Sequence, residues 1–334
     1  MPNTDEVCSL GSIYKYQRVK RKTRRSYDAQ MSFIANTSLY AANMLSFVSV
    51  TVLLASGLVL PAHAVPSVSS LFIFKDPALS NNRAIKSVGF DTVMAFALNL
   101  QSNGDIVYPL SALGGGSPDV LLVSNGSYVG GSKYAELMKS YKVDSTIKRV
   151  EATVGPYSLI KQFVNSNGTG PSTLLFRNLA ALKTAWDLDA INNDDEETYD
   201  TQSTVSFATM LGAIGFKYSA APYTNIDYWA DAVKQINAQS PGLFDRVYLQ
   251  CYDGGAGNDP GQWQSALGLP ITPILWVVNS AKPIYGQTAE QAQSTFTQFK
   301  TGGITGGGYW NNYDIEQQNG SYTDYAKAID NAFS

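Results

Sequence analysis

Between Trp186 and Glu196 the chain reads Trp-Asp-Leu-Asp-Ala-Ile-Asn-Asn-Asp-Asp-Glu, five carboxylates within eleven residues. The run follows a segment of helical periodicity and itself begins like a strand. Successive side chains of a strand point to opposite faces, so Asn192, Asp194 and Glu196 are expected on one face, near the strand's C-terminal end. Unpaired acids aligned in this way contribute nothing to stability. Their arrangement is that of a site. A solvated acidic turn or a calcium loop is the plain alternative. The helix-loop-helix calcium pattern fails, because its sixth and twelfth positions, counted from Asp189, are Asp194 and Asp200 rather than Gly and Glu.

The rest of the composition narrows the chemistry. A basic stretch over 15–25 (KYQRVKRKTRR) precedes a 15-residue apolar run from Ser46 to Leu60, which closes at Ala62-His63-Ala64. That order is the one of a secretory leader spanning 1–64, and a start at Met31 would give the leader a conventional length. A retained membrane anchor is the alternative, but the run is shorter than the roughly 20 residues a span needs. Removing 1–64 from the 334 residues leaves a 270-residue domain, 65–334, in which no histidine remains and Cys251 is the one cysteine. Ser-His-Asp and Cys-His triads, ordinary zinc sites and an intrachain disulfide are thereby excluded. That domain keeps 17 basic and 24 acidic residues, a net charge of −7, which disfavours nucleic acid and anionic membrane. Carboxylates, tyrosines and amides are left for catalysis, with no cofactor or metal implied.

Strand-like runs alternate with helical ones. Strands are expected at Val68–Phe74, Phe90–Leu98, Ile147–Val154, the acidic run, Val205–Ile214, Phe244–Tyr252, Ile271–Val278 and Ile304–Trp310. Short extra strands are expected at Ile106–Tyr108 and Leu121–Val123, and helices at Tyr134–Tyr141, Ser172–Trp186 (capped by Ser172), Asn225–Ala238 and Thr323–Phe333. Eight strands interleaved with helices predict an α/β fold, a single (β/α)8 TIM barrel whose sites lie at the C-terminal strand ends. A doubly wound sheet would ordinarily show a glycine-rich phosphate turn after its first strand, and there is none.

At this point the chain resembles glycoside hydrolase family 18, the chitinases and endo-β-N-acetylglucosaminidases. That family's D-x-x-D-x-D-x-E is matched by Asp189 to Glu196 at three of four positions, with Asn192 in place of the second Asp. Gln250-Cys251-Tyr252-Asp253 is similar to its [M/Q]-x-Y-[D/N], and Gly308-Tyr309-Trp310 to its closing tryptophan region. The second strand's FDTVMAFAL followed by Asn-Gly-Asp is also similar. The third strand departs, with Thr153-Val154-Gly155-Pro156 where the family has S-x-G-G. The resemblance spans 66–334.

With the leader, the resemblance implies a secreted or cell-wall-associated, monomeric hydrolase of β-linked N-acetylglucosamine oligo- or polysaccharides, acting with retention through the substrate's own N-acetyl oxygen. Glu196 would be the general acid/base, its pKa raised by burial and neighbouring carboxylates. Asp194 would orient the acetamido group, Tyr252 would donate its hydroxyl to it, and Trp310 would lie beneath the sugar. Asp189, Asn192, Gln250 and Asp253 complete the expected binding set. An amide at 192 can donate to Asp194 but cannot shuttle a proton. The alternative reading is a lectin or interaction protein of the same fold that binds glycan without cleaving it. A third is a hydrolase of another amino-sugar polymer. The short segment between strands seven and eight leaves no room for a groove-deepening insertion, so an open cleft and endo action are expected.

Overall fold

The computed structural model describes residues 67–334 except Gly115. The leader, its cleavage at Ala64 and the start at Met31 lie outside the described residues. Eight parallel strands close into a barrel: β1 Ser69–Phe74, β2 Thr92–Leu100, β3 Arg149–Gly155, β4 Ala190–Asn193, β5 Lys217–Ala220, β6 Phe244–Gln250, β7 Ile271–Val277 and β8 Gly307–Trp310. The ring is closed by β1, which pairs with β2 (Ser70 against Thr92) and with β8 (Ser69 against Gly307). An antiparallel excursion, Ile106–Tyr108, Val120–Ser124 and Ser127–Tyr128, extends from the end of β2. The (β/α)8 expectation holds.

Strand alternation separates two interiors. The outward faces, among them Leu71, Ile73, Val150, Ala152, Ile191, Val247 and Leu275, join the main core against the surrounding helices. The inward faces hold a smaller apolar cluster of Phe72, Met94, Ala221, Tyr248 and Ile274, with Phe96, Tyr252 and Trp310 packed on it. Beneath that cluster the barrel is polar: Arg149, Glu151, Thr153, Asn192, Ser219 and Thr272 are all buried. At β8 the close approach is enforced by Gly308, where a Cβ would fall 1.9 Å from the Ser70 hydroxyl oxygen.

Several boundaries moved. Val205–Ile214 is not the fifth strand but the body of the helix Thr201–Ile214. Its apolar residues pack as a nearly all-round buried helix, which erases the polar face that marks helical periodicity. The Asp200 side chain caps it by accepting from the Ser203 N–H at 2.9 Å, and Gly215, at φ 97°, ends it. The true β5 is only Lys-Tyr-Ser-Ala, with Ser219 facing the polar interior, so it carries no apolar signal. The helix before the acidic run starts at Leu174, and its cap is Thr173 rather than Ser172, since Thr173 Oγ1 accepts from the Phe176 N–H at 3.4 Å. Helices at Tyr157–Asn167, Pro260–Leu267 and Ala289–Lys300 had not been expected. Among the described residues no helix is long and apolar enough to cross a membrane.

Candidate active site

The acidic run is split by function. Asp187 closes the preceding helix in the left-handed region, at φ 53°. Only Ala190–Asn193 is strand, so Asp194 and Glu196 stand on the loop that leaves its C-terminal end. That loop is templated from within. Asn193 donates from Nδ2 to the Tyr218 hydroxyl at 2.6 Å, and its Oδ1 accepts the Asp195 N–H at 2.7 Å. Buried Asp195 in turn accepts backbone N–H groups of Glu197, Thr198 and Tyr199 at 3.1, 2.7 and 2.8 Å. Asp195 thus shapes the turn that presents its two neighbours, a task any Asx turn performs and one the sequence pattern did not single out.

Gln250, the last residue of β6, brings the two acids together. Its Nε2 lies 3.1 Å from Asp194 Oδ1, 3.4 Å from Glu196 Oε1 and 2.8 Å from the Ala221 carbonyl oxygen. Burial, then the charges of Glu196 and Asp195, push the Asp194 carboxyl well above the usual carboxylate range. Such burial beside like charge favours the protonated form of Asp194. Tyr252 follows two residues after Gln250; burial first, then Asp194, Glu196 and Asp253, push its hydroxyl well above its ordinary value. It stays a hydrogen-bond donor throughout the physiological range. Its ring meets Trp276 at 5.5 Å, edge to face.

The Trp310 ring forms part of the barrel's inner floor, 4.6 Å from Phe96, 5.2 Å from Phe74 and 5.5 Å from Phe72 between centroids. Asp253 sits just beyond Tyr252 at φ 49° and is ion-paired with Lys282 from the loop after β7. Two expectations need correction. Asp189 is not at the site: it precedes β4 at the opposite end, where Oδ2 accepts the Val150 N–H at 2.8 Å and Lys142 Nζ pairs with it at 3.1 Å. Asn192 is fully buried, and its amide is engaged by Ser219 and Thr153 on the neighbouring strands. Nδ2 donates to Ser219 Oγ at 3.0 Å, and Oδ1 accepts from Thr153 Oγ1 at 3.2 Å. The departing third strand thus does contribute, through Thr153.

Two aromatic residues were missed as site residues. Tyr223, just past β5, has its hydroxyl raised by burial and then by Glu196, Asp194, Asp253 and Glu197, which places it among the same carboxylates. No motif marks it. Trp276 ends β7 beside Tyr252, with Nε1 donating to Asp314 Oδ2 at 2.8 Å. Its inward parity with Thr272 and Ile274 was the available signal. Trp263, by contrast, is buried in the outer core. Among the described residues no group of three or more acidic, cysteine or histidine side chains is placed to hold a metal ion.

No family model matches the chain, and no curated protein matches it. Solved structures do. A chitinase from Rhizomucor miehei is similar at a TM-score of 0.52 and 12% identity, over 79% of this chain and 99% of that one. A chitinase-like agglutinin from Robinia pseudoacacia is similar at 0.53 and 11%, over 79% and 99%. YKL-39, solved in the presence of chitooligosaccharides, is similar at 0.53 and 8%, over 80% and 99%. The fold is therefore that of the family 18 chitinases and chitinase-like proteins, a group whose members include both an enzyme and an agglutinin.

Proposed function

We propose that the protein is a secreted glycosidase that cleaves β-linked N-acetylglucosamine glycans by a substrate-assisted, retaining mechanism. The observation that carries this reading is the meeting of Asp194 and Glu196 at the Gln250 amide, at the C-terminal ends of β4 and β6, with the Tyr252 hydroxyl close enough to feel both charges. Glu196 protonates the glycosidic oxygen as the bond breaks and later takes a proton from the incoming water. The acetamido carbonyl oxygen of the substrate attacks the anomeric carbon from the other face. Asp194, protonated before substrate binds, passes that proton to Glu196, and the carboxylate left behind accepts the acetamido N–H and stabilises the positive charge that develops on it. Tyr252 donates to the acetamido oxygen and aligns it, and Trp310 supports the sugar from below. The neighbours' chitin-oligomer ligands favour N-acetylglucosamine oligomers as substrate class.

A second reading, glycan binding without cleavage, is favoured by one observation: Asn192 removes a carboxylate from the signature. The two separate on turnover of oligomers, and stereochemistry then tests the mechanism. Time-resolved NMR of oligomer cleavage is expected to show the β-anomer first, and oligomers bearing amino groups in place of acetamido groups at the cleaved sugar should resist. Initial α-anomer release, or equal cleavage of de-N-acetylated oligomers, sinks the mechanism.

A further inference from the structure

Glu151 is the largest unexplained charge in the barrel. It is fully buried on the inner face of β3, one alternation below Thr153, and nothing in the proposed chemistry uses it. Its Oε1 accepts from Arg149 Nε at 2.6 Å and from the Tyr248 hydroxyl at 2.5 Å. Its Oε2 accepts the hydroxyl hydrogen of Ser219. Around it stand Arg149, which also forks onto Asp245 at 2.6 and 2.8 Å, and Arg246, which reaches Thr92 at 2.7 Å and Tyr248 at 3.4 Å. Two arginines and two carboxylates make the cluster electrically balanced.

The direction of the hydrogen bonds matters. Ser219 has one hydroxyl hydrogen, and Glu151 takes it, so the Ser219 oxygen must be met by a donor. Asn192 Nδ2 supplies that donor, while Asn192 Oδ1 takes the hydrogen of Thr153. Thr153, Asn192 and Ser219 are register partners across β3, β4 and β5, so this row ties three strands together directly below the loop bearing Asp194 and Glu196. An ionised carboxylate at 192 could only accept. It would set a second acceptor against the single hydrogen of Ser219, a few ångströms from Glu151, in a buried layer.

We propose that Glu151 and Asn192 are a compensating pair: the layer's buried carboxylate stands at position 151 and not at position 192, and Glu151 acts through Ser219 and Asn192 as a positioning residue for Asp194 and Glu196. The wiring stands on geometry alone; the positioning role rests on the proposed function. Restoring the signature residue should therefore harm the protein rather than improve it.

The test is a double-mutant cycle on the chain, with Asn192→Asp, Glu151→Gln and the two combined, followed by thermal melts and by hydrolysis of chitooligosaccharides. Asn192→Asp should melt several degrees below the parent near pH ~8, with the deficit shrinking near pH ~5, where a protonated carboxyl at that position can donate to Ser219. Adding Glu151→Gln should recover most of the loss, since a neutral amide at 151 removes the opposing charge. Glu151→Gln alone should lower kcat about tenfold or more with little change in KM. Additive melting shifts in the cycle, or Glu151→Gln with parental kcat, overturns the proposal. Should Glu151→Gln not fold, Asn192→Asp decides alone: a melt equal to the parent's at both pH values overturns the wiring. A chain with the expected melts that hydrolyses nothing contradicts the proposed function and leaves the wiring standing.

Discussion

The Gln250 amide nitrogen has two hydrogens and three oxygens within reach, on Ala221, Asp194 and Glu196. With the carbonyl holding one hydrogen, the other goes to whichever carboxylate carries more charge, which fits a pair that hands one proton back and forth. Gln250→Leu removes this shared donor, and kcat should fall about ten- to a hundredfold while the fold persists; steady-state kinetics beside a circular dichroism spectrum check it. Asp194 gives a pH signature. A carboxyl whose folded value is raised contributes its full stability below the ordinary Asp range, and that contribution is lost as pH rises through the raised value. Asp194→Asn should therefore melt a few degrees above the parent near pH ~8, with the gain vanishing toward pH ~4, even as hydrolysis falls sharply. At this scale the sequence was informative where a spacing predicted proximity, as at Asp194, Glu196, Gln250 and Tyr252, which the fold brings to one end of the barrel. It was silent at Tyr223 and Glu151, which are brought to their places by strand register rather than by a local pattern. It misled at Asp189, whose acidic side chain belongs to the other end of the strand.

At the level of elements, the barrel was legible because six of its strands are apolar on the outward face and end at recognisable turns. The fifth was not, since a four-residue strand with a lysine at its start and a serine turned into a polar interior shows no apolar alternation. The neighbouring helix drew the strand assignment because it is buried on most of its circumference. Its cap offers a local check. The Asp200 carboxyl is lowered to about 2 by its bonds with the Ser203 hydroxyl, Lys161 and the Ser203 backbone. A lowered carboxyl contributes stability above its unfolded value near ~4 and loses it as pH falls toward the folded one. Asp200→Ala should cost about 1 kcal/mol near neutrality, with the difference shrinking as pH approaches ~2; denaturant melts at both ends of that range measure it.

Across the whole molecule, the segment from β7 to β8 holds a 3-10 turn at Pro283–Tyr285, a two-residue strand and the helix Ala289–Lys300, and no separate groove wall. The loops after β6 and β7 are joined by the Lys282–Asp253 ion pair, and Trp276 at the end of β7 bonds to Asp314. On the proposed function, a barrel end without that wall predicts cleavage within a chain. Products of N-acetylglucosamine hexamer digestion should be mixed in length from the earliest time points, and release of disaccharide alone would contradict the open cleft.

The most direct test of the central claim compares the chain with Glu196→Gln on chitooligosaccharides and on a high-mannose glycoprotein. The account predicts that one of these is cleaved and that the substitution lowers the rate by roughly three orders of magnitude or more while binding persists. Equal cleavage by both proteins, or binding without cleavage by either, would contradict it; the latter result would make the molecule a glycan-binding protein on a hydrolase barrel.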